Sequence, residues 1–290
     1  VLHRFILHND RIYNASDALL SCGQVGLLSG WGVFSTLRVA SGVPFAFERH
    51  WARIVRDAAA LHVPLPQDPG PVRARLMELV EANQAFDSTL RVAIVRNGGG
   101  MWAGPSNGHE SDLIALTADT KEWGHGVRLG CVENARHAAC AFAGTKSLSW
   151  ASNLTWQETA QQQGYDEAVL LNEHGEVAEC TSANIFAATG GQVWTPPLGS
   201  GCLPGITREI VLGEIRVPGI TVSEKVLTRA DLAAADEVFI TSTTRNLLPV
   251  GAIEGRKVGR SDSTRTALEA EFEAYVTRYI ATHARTAPVT

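Results

Sequence analysis

Ala118-Asp119-Thr120-Lys121-Glu122-Trp123-Gly124-His125-Gly126 carries no apolar periodicity and separates two halves of different build. That break predicts a first domain over 1–118, a linker over 119–126 and a second domain over 127–290. Working back from it, Leu113 to Thr117 and Leu90 to Val95 are short apolar runs with the character of buried strands. Between them, Asn97 to Ser111 is rich in Gly, Ser and Asn yet includes Met101 and Trp102, a long polar loop that in a compact domain is either disordered or functional. Pro71 to Gln84 predicts a helix with Val72, Leu76, Leu79 and Val80 on one face. Glu48 to His62 predicts another, with Trp51, Ile54, Val55, Ala58 and Leu61 recurring at threes and fours. Phe5 to Leu7 and Val33 to Val39 predict strands, Ser41-Gly42 a turn, and Pro44 to Phe47 renewed extended chain.

Forward of the break, Val127 to Val132 predicts a strand and Asn153 to Gln163 a helix. Glu167 to Leu171 and Val177 to Glu179 form a hairpin about His174-Gly175, followed by strands over Asn184 to Ala188 and Gln192 to Trp194. A helix over Thr207 to Glu214, a strand over Val238 to Thr241 and an amphipathic helix over Thr264 to Ile280 complete the half, with a frayed tail from Thr282 to Thr290. Strand and helix do not alternate regularly, so the class is α+β in two domains rather than a doubly wound sheet.

Composition narrows the functional classes. With 290 residues, 45% of them hydrophobic, the chain can build a sizeable core. A net charge of −5 and the lack of any Lys/Arg-rich run argue against a nucleic-acid partner. The five cysteines are scattered with no CxxC, so neither a zinc ribbon nor a disulfide framework is indicated. The nine histidines form no HxxxH or HxH pair, which leaves a metal-dependent hydrolase without a scaffold. No stretch approaches the roughly 20 apolar residues that span a bilayer, and the amino terminus lacks a signal pattern. The expectation is a reduced, cytoplasmic protein without membrane or metal.

Two segments could hold an anion. Gly201-Cys202-Leu203-Pro204-Gly205-Ile206-Thr207-Arg208-Glu209 makes a turn at Pro204-Gly205, offers Thr207 as a cap and opens an apolar helix. Free N–H groups at a helix start suit a phosphate monoester. Ile240-Thr241-Ser242-Thr243-Thr244-Arg245-Asn246 is a strand ending in a cluster of hydroxyls. Taken alone, the first is an ordinary turn and the second a polar loop. Lys146, in Ala143-Gly144-Thr145-Lys146-Ser147-Leu148-Ser149-Trp150, reads by itself as a surface lysine like Lys121 or Lys225. Glu179 reads as a solvated carboxylate at a strand end, and Arg53 as part of a solvated helix face.

Their order along the chain changes that reading. Gly26 to Phe47 (GLLSGWGVFSTLRVASGVPFAF), Glu48-Arg49-His50-Trp51-Ala52-Arg53-Ile54, Lys146-Ser147-Leu148-Ser149 and Asp166 to Leu171 follow one another. Then come Gly175 to Glu179, Ser182 to Phe186, Thr195 to Leu198, Leu203 to Arg208, Ala235 to Phe239 and Leu248 to Val250. This series, covering most of the chain, resembles the fold type IV pyridoxal 5′-phosphate (PLP) enzymes of the class IV aminotransferase family. That family includes branched-chain and D-amino acid aminotransferases and aminodeoxychorismate lyases. The resemblance implies a smaller N-terminal α/β domain, a larger C-terminal PLP domain with a β-barrel-like core, and a homodimer.

By position, the resemblance implies that Lys146 carries PLP as a Schiff base and serves as the general acid/base. It makes Glu179 the partner of the pyridine nitrogen and Arg53, Ile206, Thr207, Ser242 and Thr243 the groups around the phosphate. These roles suit the chemistry, which needs a nucleophilic amine, an electron sink and an anchored phosphate. Trp150 stands where branched-chain enzymes place a tyrosine near the cofactor's 3′-oxygen. The Lys-Ser-Leu-Ser run is similar to D-amino acid aminotransferases, and the Glu-Cys-Thr-Ser-Ala-Asn run to the lyases. Phe34, Arg38 and Arg96 align with pocket positions, and Trp31, Met101 and Trp102 could wall the site. Arg96 suits either a carboxylate clamp or a structural ion pair.

The implied activity is amino transfer between an amino acid, branched-chain type favoured, and a 2-oxo acid by a ping-pong mechanism. Alternatives are pyruvate elimination from aminodeoxychorismate, a D-amino acid or amine transaminase, and a non-catalytic PLP-binding protein on the same scaffold.

Overall fold

The computed structural model describes residues 1–17, 20, 23–100 and 108–284. Met101 and Trp102 lie outside the described residues. The chain forms two compact units: Val1–Lys121 with Thr145–Trp150 and Val276–Thr290, and Glu122–Gly144 with Ala151–Tyr275. The short segment with Lys146, which the sequence places in the second half, therefore packs with the first. So does the last part of the C-terminal helix.

The first unit contains β1 (Leu2–His8), β2 (Arg11–Asn14), α1 (Val25–Ser29), β3 (Gly32–Ala40), β4 (Val43–Pro44), α2 (Phe47–Ala60), α3 (Pro69–Ala82), β5 (Ser88–Arg96) and β6 (Ser111–Ala118). Its six strands form an antiparallel sheet in the order β2-β1-β6-β5-β3-β4. The two-residue period of the strands sorts the faces. Val33, Leu37 and Val39 of β3 and Leu90, Val92 and Ile94 of β5 point to one side. There they pack with Trp51, Ile54 and Ala58 of α2 and Val72, Leu76, Leu79 and Val80 of α3. Each such large side chain, fully buried, contributes about 1.5–3 kcal/mol. The other face carries Phe34, Thr36 and Arg38, across from Ala93, Arg91 and Thr89.

Two local expectations fail here. Pro44 to Phe47 is not continuously extended: β4 stops at Pro44, Ala46 turns left-handed at φ 52°, and Phe47 opens α2. Val55 is 44% exposed, whereas His50, Arg53 and Asp57 lie buried on α2. The helix thus faces inward with a polar stripe at spacings of three and four, which a purely apolar template assigns to solvent.

The second unit contains β7 (Val127–Arg136), α4 (Ala151–Gln162), β8 (Glu167–Asn172), β9 (Val177–Cys180), β10 (Asn184–Thr189), β11 (Gln192–Thr195), α5 (Ile206–Gly213) and β12 (Thr221–Glu224). It continues with α6 (Arg229–Ala234), β13 (Glu237–Ser242), β14 (Asn246–Ile253), β15 (Arg256–Lys257) and α7 (Ser263–His283), whose last turns belong to the first unit. The strands form one mixed sheet, β12-β11-β10-β13-β14-β7-β8-β9, with β15 on β14. β14 escapes a pattern reading because Pro249 and Gly251 interrupt its apolar run. β2, α1, β12, α6 and β15 are likewise absent from that reading, being only two to six residues long. The tail expected from Thr282 begins inside α7, and 285–290 lie outside the described residues. Among the described residues no helix is long and apolar enough to cross a membrane.

Candidate active site

In the first unit, Lys146 is held by its backbone. Phe34 N donates to Lys146 O at 3.0 Å and Leu148 N to Gly32 O at 2.9 Å, so the segment lies along the start of β3. The approach is close. A Cβ on Gly32 would sit 2.4 Å from Ile94 O and 2.5 Å from Leu148 Cδ1, so only glycine fits beside this segment. From α2, Asp57 Oδ2 accepts the Lys146 N–H at 3.0 Å. The Lys146 ammonium sits 4.6 Å from the centre of the Phe34 ring and 4.7 Å from that of Trp150. Those rings meet edge to face at 5.4 Å.

The buried polar stripe of α2 adds charge around the lysine. Arg53 Nη2 donates to Ser35 Oγ at 2.9 Å, and His50 Nδ1 lies 2.7 Å from the same oxygen. Burial, with the Arg53 and Lys146 charges, holds His50 well below its ordinary pKa, so the imidazole is neutral. Arg53 is therefore a buried cation rather than part of a solvated face.

Arginines divide sharply in their surroundings. Arg96 donates to Gly98 O at 2.7 Å and His62 O at 2.6 Å and lies over the Trp31 ring. Backbone carbonyls, not a carboxylate, occupy it. Arg38 is half-buried on the Phe34 face of β3. Arg91, next to that strand on β5, has its guanidinium carbon 4.0 Å from the Phe34 ring centre, and burial lowers its pKa. Among the described residues the Arg91 side chain has no ion-pair or hydrogen-bond partner.

In the second unit, Glu179 is the penultimate residue of β9, with both oxygens engaged. Arg136 Nε donates to Oε1 at 2.9 Å and Leu203 N to Oε2 at 3.0 Å. Arg136 also donates to Asn153 Oδ1 at 3.2 Å. Leu203 belongs to the turn that opens α5, and its carbonyl accepts from Asn184 Nδ2 at 2.8 Å. Asn184 in turn pairs with Thr241 at the end of β13. One turn thus joins the Glu179 carboxylate to the hydroxyl segment.

Thr207 is not the cap of α5. Gly205 takes that position, with no side-chain cap, and Ile206 and Thr207 are buried in the first turn. The helix-start amides are left without a side-chain acceptor. A Cβ on Gly205 would lie 2.0 Å from Asn184 Oδ1, so the residue type is fixed by space rather than by capping. Nearby, Ser242 Oγ and Thr241 Oγ1 are buried and have no hydrogen-bond partner among the described residues. An orphaned hydroxyl such as that of Ser242, and uncapped helix-start amides, are groups that suit a bound oxyanion. No group of three or more His, Cys, Asp or Glu among the described residues is placed to hold a metal.

The family model for class IV aminotransferases matches residues 32–253, from the β3 segment that holds Lys146 to the end of β14. This chain belongs to the class IV aminotransferase family. It is 31% identical over 258 residues to a D-alanine aminotransferase of Bacillus licheniformis, covering 88% of this chain and 90% of that one. It is 32% identical over 253 residues to a putative branched-chain-amino-acid aminotransferase of Methanocaldococcus jannaschii, covering 86% and 88%. Its fold matches the crystal structure of a branched-chain aminotransferase from Thermoproteus uzoniensis, solved with norvaline, at a TM-score of 0.86 and 26% identity. That match covers 96% of this chain and 98% of the other. The chain is an enzyme, a transferase with the fold type IV architecture.

Several polar residues of this class IV aminotransferase escape a reading by motif. Asp57 and Arg91 sit inside apolar patterns, where a lone charge gives no signal of its partner. Arg136 stands ten positions before Lys146 in the sequence and in the other unit. Its bond to Glu179 follows from β7 and β8 lying parallel, which no local pattern reveals.

Proposed function

We propose that this class IV aminotransferase uses PLP, carried on Lys146, to move an amino group between a branched-chain amino acid and a 2-oxo acid in ping-pong fashion. The observation that carries the reading is Lys146 itself: its backbone is fixed by β3 and Asp57 and its ammonium rests on two aromatic rings. The chemistry asks of this amine that it act first as a nucleophile and then as a base. PLP, when bound, supplies a carbonyl that accepts the amino group and a ring that draws electrons from the reacting carbon.

The chain's own residues do the rest. Glu179, steadied by Arg136 and the Leu203 amide, presents a fixed carboxylate to the ring nitrogen. Ser242 and Thr243, the amides of Ile206 and Thr207, and the Arg53 guanidinium take the phosphate; the partnerless Ser242 hydroxyl and the uncapped helix start support this. The amine of Lys146 removes the substrate's Cα proton and returns it, as general base and then acid. Phe34 and Trp150 offer an apolar wall for a branched side chain. Arg91, partly desolvated and without a counter-ion, receives a substrate carboxylate. The enzyme acts as a homodimer, as its family resemblance implies.

A D-amino acid transaminase is the second reading, supported by the 31% identity to the Bacillus licheniformis enzyme. Single-turnover spectra with a panel of L- and D-amino acids separate the two. Conversion of the bound cofactor by L-leucine, L-isoleucine and L-valine is expected. Conversion by D-alanine alone would install the second reading, and pyruvate release from aminodeoxychorismate without any amino transfer would overturn both.

A further inference from the structure

Glu167, the first residue of β8, is 1% exposed and forms an ion pair with Arg245, whose side chain is 3% exposed. Glu167 Oε1 accepts from Thr181 Oγ1 at 2.9 Å, from Ser182 N at 2.5 Å and from Ser182 Oγ at 3.0 Å. Its Oε2 accepts from Arg245 Nη2 at 2.7 Å. Arg245 also donates to Ser182 O at 3.1 Å and Ser182 Oγ at 2.9 Å. Its guanidinium lies 3.8 Å from the Trp123 ring centre, and Trp123 Nε1 donates to Thr244 O at 3.1 Å.

One carboxylate therefore ties down two turns. The first, at Thr181-Ser182, starts two residues after Glu179. The second, at Thr243 to Arg245, follows Ser242. Strand pairing already sets them side by side, since Asn184 of β10 lies opposite Thr241 of β13, and the ion pair adds a second link made by side chains. A buried ion pair is a poor way to gain stability, since desolvation offsets most of the attraction. This one also leaves Arg245 Nε buried without a hydrogen bond. What it does supply is a rigid, directional link between the turns.

We infer that Glu167, Arg245 and Ser182 are positioning residues that fix the distance between the carboxylate end and the hydroxyl end of the cofactor site. This rests on the proposed PLP reading. A ligand that spans both ends feels the clamp, whereas one that reaches only the carboxylate end does not. PLP spans both; pyridoxal, lacking the phosphate, does not.

The test measures dissociation constants of PLP and of pyridoxal for the apoenzyme, with its thermal midpoint, in wild type and in the double variant Glu167→Gln, Arg245→Met. The double variant leaves no unpaired charge, and the methionine keeps a stem against Trp123. PLP affinity should fall about tenfold or more, the size of losing a charge-assisted hydrogen bond. Pyridoxal affinity should stay within about threefold, and the apoenzyme's melting should stay close to wild type. Arg245→Lys, which keeps the charge and loses the fork on Ser182, gives the same pattern at smaller size and stands in should the double variant not fold. Equal losses for PLP and pyridoxal, or no loss for either, would overturn the clamp. Wild-type protein that fails to bind PLP would instead overturn the reading beneath it.

Discussion

His50 and Arg91 each depart from the ordinary behaviour of their residue type, and each departure is measurable. His50 is buried and neutral beside two cations, so its pKa in the fold lies below that of the unfolded chain. The unfolded state then binds the proton first as pH falls. His50 contributes stability that is complete above the unfolded pKa of about 6.5 and is lost as pH drops towards the folded value. Denaturation midpoints between pH 7 and 5 should fall in wild type and fall less in His50→Gln; parallel profiles would contradict this. Arg91 offers a second test. Arg91→Met should raise KM for a dicarboxylic 2-oxo acid by about tenfold or more, with kcat little changed, because it removes binding and not proton transfer. The single residues were the least legible part of the sequence. Arg53 and Lys146 became candidates only through the order of ten motifs, and nothing local marked Asp57 or Arg91.

Elements were read more successfully where their period was plain. The α3 face of Val72, Leu76, Leu79 and Val80 packs as its spacing demands. α2 shows the limit of that logic: its apolar residues find the core, yet its inward stripe also holds His50, Arg53 and Asp57. A helix that serves a site must bury polar groups, so hydrophobicity alone misorients part of it. Asp57 tests this. Asp57→Ala strips the Lys146 N–H of its acceptor and should cost about 1–3 kcal/mol in chemical denaturation, while Asp57→Asn, which keeps an acceptor, should cost less. Gly32→Ala forces a methyl group against Ile94 O and should destabilise the β3 edge by about 1–3 kcal/mol. If Gly32→Ala melts like wild type, the close packing of the lysine segment is wrong. At α5 the sequence located the helix but misassigned its cap. Thr207 has the chemistry of a cap, whereas the tight contact at Asn184 reserves that place for Gly205.

For the whole molecule, the first compact unit takes Val1–Lys121 and the second begins at Glu122. The sequence could not show that Thr145–Trp150 and the end of α7 return to the first unit. Those returns are made by backbone bonds between residues more than a hundred positions apart, such as Phe34 with Lys146. Local periodicity carries no trace of them. The mixed sheet of the second unit has the same character. Its parallel pairs, β7 with β8, β7 with β14 and β11 with β12, are set by topology rather than by adjacent hairpins. The central claim of the proposed function is that Lys146 carries the cofactor. Borohydride reduction of the PLP-loaded enzyme, followed by proteolysis and mass spectrometry, tests it most directly. The pyridoxyl mass is expected on the peptide bearing Lys146; its appearance on Lys121, Lys225 or Lys257 instead, or on no lysine, would contradict the account.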